Sequence, residues 1–184
     1  MIEVEIRAKL NNFEEIKKKL ENLGAKFLKK EKQIDKIFGH SMFLDSKNMI
    51  IEGGIVPRIR QKAEDIILEF KEICREGAGF EIKSSLTNIS LGIKFLTKMG
   101  FKEAFTVSKE RTEYSLEELT ICLDSVEGLG DFIEIEKMIA IEEEKENAKK
   151  QCFDLLNKIA QDSLIESRKY GDLIQEKINK GEKI

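Results

Sequence analysis

The first nine residues, MIEVEIRAK, alternate charged and apolar side chains. In an extended strand this spacing places Glu3, Glu5, Arg7 and Lys9 on one face and their apolar neighbours on the other. Carboxylates bind divalent metals and cations bind polyanions, so both kinds on one face could form a site for a metal and an anion together. A surface strand with its charges in water shows the same alternation. The two interpretations are separated by whether the pattern recurs along the chain.

One-sided charge recurs in most of the other strand-like segments. A second acidic pair falls at Glu134 and Glu136, and basic pairs fall at 58/60 and 109/111. The remaining one-sided charges are Lys62, Glu69, Lys71, Glu81, Lys83 and Asp124. This grouping into acidic and basic pairs favours a site that holds Mg²⁺ or Mn²⁺ through carboxylates and a triphosphate through arginine and lysine. Solvated strand charges remain the alternative.

Composition excludes several classes of function. The chain has 184 residues, 36% of them charged, with a net charge of −3 and no long basic run, which argues against a nucleic-acid-binding protein. No apolar run approaches the roughly 18 residues of a membrane span, so we expect no signal peptide, no membrane partner and a cytoplasmic location. His40 is the only histidine, which excludes zinc sites built from His pairs. Cys74, Cys122 and Cys152 show no C-x-x-C spacing and are expected to be free thiols.

A strand, a capped helix and a second strand are predicted twice. Asn11 or Asn12 caps a helix over 13–23, and Gly24 closes it. With an offset of 76 residues, segment 4–26 aligns without a gap to 80–102, which matches Asn12 with Asn88 and Gly24 with Gly100. We therefore predict a two-fold pseudo-repeat.

The remaining pattern completes the fold prediction. Further strands are expected at 25–38, 56–62, 66–73, 101–115, 119–126 and 131–138, with helices at 142–163 and 169–179. Short hairpin connections predict antiparallel pairing. We expect an α+β fold: a closed antiparallel eight-stranded β-barrel, or tunnel, with a polar charged lumen and helices packed outside. Residues 1–184 would form a single domain, with 175–184 as a C-terminal tail.

The order of several short motifs resembles the CYTH superfamily, the triphosphate tunnel metalloenzymes. The family's E-x-E-x-K signature corresponds to Glu3, Glu5 and Arg7, with arginine in place of lysine. Later motifs follow in order: Q-x-D before an aromatic (Gln33, Asp35, Phe38), R-I-R (Arg58, Arg60), L-x-F-K (Leu68–Lys71), K-x-R (Lys109, Arg111), the block Cys122–Glu136 and the ending Ser167–Ile174. The resemblance covers residues 1–174 and is closest in style to the CyaB-like, class IV adenylate cyclases.

The resemblance implies a role for each matching residue. Mg²⁺ or Mn²⁺ would be held by Glu3, Glu5, Glu134 and Glu136. The triphosphate would be bound by Arg7, Lys9, Arg58, Arg60, Lys71, Lys83, Lys109 and Arg111, with Asp124 in support. The catalytic set would be Glu3, Glu5, Arg7, Lys9, Lys71, Lys109 and Arg111. Because arginine does not deprotonate readily, Arg7 is not expected to act as a base.

Two reactions and one binding role fit this site. The first is metal-dependent hydrolysis of inorganic triphosphate, ATP or thiamine triphosphate. The second is cyclisation of ATP to cyclic AMP and pyrophosphate, which also needs an adenine pocket that the sequence does not identify. The family's cyclases carry a His-Phe pair upstream of the signature, where this sequence has Met1-Ile2, so hydrolysis is favoured. A non-catalytic triphosphate- or polyphosphate-binding module is the third. The resemblance also admits a homodimer, since cyclases of the family are commonly dimers.

Overall fold

The computed structural model describes residues 2–74 and 80–183, which fold as an α+β protein. Its strands are β1 (Ile2–Lys9), β2 (Lys26–Gly39), β3 (Ile55–Lys62), β4 (Asp65–Glu72), β5 (Glu81–Leu86), β6 (Lys102–Leu116), β7 (Leu119–Val126), β8 (Gly130–Ile139) and β9 (Leu164–Ile165). Its helices are α1 (Phe13–Asn22), α2 (Ile89–Lys98), α3 (Lys145–Ala160) and α4 (Tyr170–Asn179). The predicted class and the predicted long elements are confirmed, with ends shifted by a few residues.

The strands of these two ranges form one antiparallel sheet in the order β5-β4-β3-β2-β6-β7-β8-β1-β9. The prediction of a closed eight-stranded barrel needs correction. The sheet has nine strands, and its hydrogen-bonded order ends at β5 and β9 without closing. The ninth strand, β9, pairs with β1 through only two residues, a length at which alternation cannot be recognised in a sequence.

The predicted pseudo-repeat is visible in β1-α1-β2 and β5-α2-β6. The Asn12 side chain accepts a hydrogen bond from the backbone N–H of Glu15, and the Asn88 side chain accepts those of residues 90 and 91. After each helix, Gly24 and Gly100 have φ of +79° and +91°, the left-handed region that a glycine adopts without steric cost. Both helices therefore begin and end by the same local chemistry, at the predicted offset.

The described residues divide into two compact units. Unit 1 lies within residues 1–31 and 110–168, and unit 2 within 32–109 and 169–184. In unit 1, α3 packs on the apolar faces of β1 and β8, and Ile6, Ile133 and Ile135 are buried in its core. In unit 2, α2 contacts β3, and Ile59 and Leu96 are fully buried. In each unit, apolar residues on one side of these strands are buried in the core, and the alternate positions of the same strands carry charged residues.

The C-terminal helical prediction holds in part. The predicted helix over 142–163 is a short 3-10 turn at Glu142–Glu144 followed by α3, and the helix at 169–179 is α4. Among the residues described, no helix has the length and apolarity that crossing a membrane requires.

Candidate active site

An acidic cluster forms in unit 1 where β1 pairs with β8. The antiparallel register places Glu5 directly opposite Glu136. Glu3, two residues earlier on the same face, completes a group in which one carboxylate oxygen from each residue lies within 4.8 Å of the other two. Like charges directly opposite in a sheet destabilise it, so this arrangement calls for a compensating cation.

The raised pKa of Glu136 is a second sign that negative charge is concentrated in this cluster. Burial, followed by the charge of Glu3, raises the pKa of Glu136 to about 7, and the nearby Arg111 only partly opposes the rise. Mg²⁺ and Mn²⁺ prefer oxygen ligands, and usually take a few carboxylates and complete their shell with water or phosphate oxygens. The three carboxylates therefore fit a hard divalent cation by donor type and by charge.

Glu134, which the resemblance implies as a fourth metal ligand, lies between two arginines. Its carboxylate accepts a hydrogen bond from Arg7 Nε at 2.6 Å. It also accepts a hydrogen bond from Arg111 Nη2, with which it forms an ion pair. Arg111 also donates to both carboxylate oxygens of the fully buried Asp124, at 2.7 and 2.6 Å. Although burial alone would lower it, the pKa of Arg111 is raised by the hydrogen bond to Asp124 and the charge of Glu134. These acids hold the guanidinium groups charged and in place.

Arg7 joins the acidic cluster to the C-terminal part of unit 1. Besides Glu134, it donates to Glu5 at 2.5 Å and to the backbone carbonyl of Arg168 at 2.6 Å. The backbone carbonyl of Arg7 in turn accepts the N–H of Glu166. Lys9, two residues further along β1, is exposed, and its Nζ lies 5.9 Å from the centroid of the Phe132 ring. Arg7 is thus fixed by several partners, whereas Lys9 reaches solvent.

Unit 2 contains a separate cluster of arginines and acids on β2, β3 and β4. Arg60 donates to both oxygens of Asp35, at 2.7 and 2.6 Å, and Arg58 lies 3.4 Å from the same carboxylate. Arg58 is also ion-paired with Glu69, which is buried. Burial alone would raise the pKa of Asp35, but the hydrogen bond and charge of Arg60, then the charges of Arg58 and Lys109, outweigh it and lower that pKa.

The lysines of unit 2 fall into two environments. Lys71 and Lys83 each lie within 4 Å of Glu81, at 3.9 and 3.5 Å, and their side chains are 40% and 58% exposed. Both can therefore turn towards a ligand without losing a buried contact. Lys109 is buried, and its Nζ lies 5.1 Å from the centroid of the Tyr170 ring at the start of α4.

Sequence reasoning did not assign site roles to Asp35, Glu69, Glu81 or Tyr170. The alternation of charge did place Glu69 and Glu81 on the faces that carry Lys71 and Lys83. Asp35 was visible only as part of a motif, because its pairing with Arg60 depends on a register that the sequence does not give. Tyr170 was likewise visible only as part of the ending motif Ser167–Ile174, and nothing in its spacing relates it to Lys109.

The three cysteines are unreactive or lie outside the charged clusters. Cys74, Cys122 and Cys152 are free thiols, as predicted. Burial raises the pKa of Cys122 well above its usual range, although its neighbour Arg111 lowers it, and burial raises that of Cys152 to about 11. Both thiols therefore stay protonated at neutral pH and are poor nucleophiles.

These features define an α+β protein whose antiparallel sheet presents carboxylates and fixed guanidinium groups on its polar face. The chain belongs to the CYTH domain family, whose model matches residues 1–170. A relative from Methanocaldococcus jannaschii, provisionally named an adenylate cyclase, is 30% identical over 90% of this chain and 94% of its own length.

Solved structures show the same fold. The PH1012 protein of Pyrococcus horikoshii is 30% identical, with a TM-score of 0.76 over 94% of this chain and 99% of its own. A protein from Hippeastrum, described as a provisional adenylyl cyclase with a dominant triphosphatase activity, is 17% identical, with a TM-score of 0.67 over 100% of this chain and 98% of its own. At that identity the second comparison bears on the fold alone.

Proposed function

We propose that this chain is a divalent-metal-dependent enzyme that hydrolyses a triphosphate, either inorganic triphosphate or a nucleoside or thiamine triphosphate. The observation that carries the proposal is the acidic cluster, in which Glu5 stands opposite Glu136 and Glu3 lies within 4.8 Å. Proteins of the CYTH family generally bind triphosphate substrates and depend on divalent metals, which supports the proposal.

In this proposal Glu3, Glu5 and Glu136 hold Mg²⁺ or Mn²⁺. Such a cation supplies Lewis-acid chemistry: it offsets phosphate charge and makes a bound water a better nucleophile. Glu134 is not included among these ligands, because it already accepts hydrogen bonds from Arg7 and Arg111. Its role would be to position those two guanidinium groups.

The cations of each unit are proposed to bind phosphate oxygens. In unit 1, Arg7 and Arg111 are fixed by buried acids and keep their charge, which suits them to stabilise charge that develops on a phosphate during reaction. Asp124 supports Arg111 in this role, and the exposed Lys9 is a further phosphate contact. In unit 2 the proposed contacts are Arg58, Arg60, Lys71, Lys83 and Lys109.

Hydrolysis requires a metal site, cations that bind phosphate and a water molecule as the nucleophile. Water would add to the terminal phosphorus while the bond to the bridging oxygen breaks, which releases orthophosphate. The fixed arginines would stabilise the charge on the departing pyrophosphate or diphosphate end. No adenine or ribose contact is required for that step.

Cyclisation of ATP is a second candidate, favoured by the name of the Methanocaldococcus jannaschii relative. In that reaction the ribose 3′-oxygen attacks the α-phosphorus and pyrophosphate leaves. The same metal and cation residues would serve, but the ribose must also be held in line with the α-phosphorus. The two reactions therefore differ in their products and share most of their residues.

Product analysis tests the proposal. The protein would be incubated with Mg²⁺ or Mn²⁺ and, separately, with inorganic triphosphate, ATP and thiamine triphosphate. Hydrolysis predicts orthophosphate release from at least one of them. Cyclic AMP with pyrophosphate from ATP would establish the cyclase instead. Tight binding of triphosphate without metal-dependent turnover would identify a non-catalytic binding module.

A further inference from the structure

The buried ammonium group of Lys109 lies against the face of one aromatic ring in unit 2. Lys109 is 6% exposed, and its Nζ is 5.1 Å from the centroid of the Tyr170 ring, which is itself 8% exposed. An ammonium ion within about 6 Å of a ring centroid is attracted by the ring's negative face, and the attraction grows when water is excluded. Both groups are nearly dry, so this contact belongs to the stronger kind.

The Lys109 side chain lies close enough to Asp35 for a positive charge there to lower the pKa of that carboxylate, after the larger effects of Arg60 and Arg58. A buried ammonium loses solvation and tends to become neutral unless its surroundings stabilise the charge. The negative face of the Tyr170 ring contributes to such stabilisation.

Tyr170 is held in place by the helix that it begins. On α4, Leu173 and Ile174 are buried, and the backbone N–H of Lys169 donates to Asp172 across the first turn. At the far end, the Asn179 side chain donates to the backbone carbonyl of residue 47 at 2.8 Å. The family match ends at residue 170, so most of the helix that anchors the ring lies beyond it.

We propose that Tyr170 is a positioning residue whose ring orients the Lys109 ammonium for contact with a phosphate group of the substrate. This inference rests on the proposed function, in which Lys109 binds phosphate. It assigns α4 a part in substrate binding, in addition to its packing within unit 2.

The test compares Tyr170→Phe with Tyr170→Leu. Phenylalanine keeps the ring face, so kcat/KM for Mg²⁺-dependent hydrolysis of inorganic triphosphate should stay within about twofold of the wild type. Leucine keeps apolar bulk and removes the ring, and should lower kcat/KM by about 5- to 30-fold. The loss should appear mainly in KM, because a misplaced ammonium weakens phosphate binding.

A double-mutant cycle with Lys109→Met separates positioning from folding. If the ring acts through the ammonium, Tyr170→Leu should have almost no further effect on kcat/KM once Lys109→Met is present. In an NMR spectrum, the Lys109 Cε protons should show an upfield ring-current shift that survives Tyr170→Phe and disappears in Tyr170→Leu. A structural role alone would not produce that pattern.

Three results would overturn the inference while leaving the proposed function intact. The first is the same kcat/KM for Tyr170→Leu and Tyr170→Phe. The second is a loss of kcat/KM from Tyr170→Leu that is as large in the Lys109→Met background as in the wild type. The third is a chemical shift of the Lys109 Cε protons that is unchanged in Tyr170→Leu. Absence of any turnover or triphosphate binding by the wild type would overturn the proposed function instead. If Tyr170→Leu lowers the melting temperature, the NMR shift and the double-mutant cycle can be measured below that temperature. Those two measurements then distinguish positioning of the ammonium from loss of the fold.

Discussion

The carboxylates of Glu5 and Glu136 face each other in the register of β1 and β8. A carboxylate oxygen of Glu5 lies 2.5 Å from Arg7 Nη2. The corresponding distance from Glu136 to Arg111 Nη1 is 3.9 Å. Glu3 adds a further negative charge within 4.8 Å. The repulsion is greatest when all three are ionised, so the cluster should respond to charge removal, to pH and to divalent cations.

Replacement of Glu136 by glutamine should make the metal-free protein more stable at high pH. In the wild type the folded pKa of about 7 exceeds the ordinary 4.5, so Glu136 binds a proton more tightly in the folded state. Its contribution to folding therefore falls as pH rises from about 4.5 through about 7. The variant cannot ionise there, and its melting temperature should exceed that of the wild type at about pH 8 and match it at about pH 5.

Added MgCl₂ should reverse the order at about pH 8, because a cation that binds the folded state stabilises it and the variant lacks one ligand. Glu118→Gln is a suitable control, since Glu118 is exposed and pairs with Lys137 outside the cluster. Equal pH profiles for the wild type and Glu136→Gln would contradict the assigned electrostatics.

Asp35 is the opposite case, because its pKa is lowered by arginine partners. Asp35→Asn should destabilise the protein at neutral pH by about 3 kcal/mol, since it leaves Arg60 and Arg58 without the carboxylate that they share. A lowered folded pKa stabilises the folded state above the ordinary value and loses that effect as pH falls through the folded pKa. The difference in unfolding free energy, measured in urea, should therefore shrink at acidic pH.

Asp65→Asn, which changes an exposed aspartate in the same unit, should have little effect at either pH. A stability loss for Asp35→Asn that does not vary with pH would show that the carboxylate's charge is not what holds the arginines.

At the scale of elements, the two copies of the strand-helix-strand unit share their ends and differ on their helix surfaces. Asn12 and Asn88 cap α1 and α2 in the same way. On the outer side, α1 has an ion pair between Glu15 and Lys19, whereas the corresponding positions of α2 carry Leu91 and the exposed Phe95. The capping chemistry is thus kept in both copies while the exposed surface is not.

The glycines that close these helices offer a matched pair of substitutions. Gly24→Ala should cost about 1 kcal/mol, because alanine is strained at a φ of +79° and its Cβ meets nothing within 4 Å. Gly100→Ala should cost more, since its Cβ would also come within 2.9 Å of His40 Nε2. Urea unfolding of both variants measures the difference, and an equal cost would show that the imidazole moves aside freely.

Much of this local structure could be predicted from the sequence. Asparagine caps, closing glycines and alternating strands are short-range signals, and they located α1, α2 and the long strands to within a few residues. The repeat offset followed from the same signals. The ninth strand could not be predicted, because two residues carry no period, and the 3-10 turn before α3 was included in a helix because its glutamates suit either form.

At the scale of the whole molecule, the candidate site depends on pairings between distant parts of the chain. Arg7 and Glu134 are 127 residues apart and meet because β1 pairs with β8. The sequence indicated which faces carry charge, but not that Glu134 would lie between Arg7 and Arg111 while Glu136 joins Glu3 and Glu5. Register decides that choice, and register comes from the assembled sheet. The net charge of −3 likewise hides local groups of both signs.

The most direct test of the account is the Mg²⁺ dependence of triphosphate hydrolysis in wild type, Glu5→Gln and Glu136→Gln, followed by ³¹P NMR. The account predicts turnover in the wild type that chelation abolishes, and a loss of at least about 100-fold in each variant, with the fold retained. Glu118→Gln should remain close to the wild type. Turnover by the wild type that survives chelation, or that persists unchanged in both variants, would contradict a metal site at the acidic cluster.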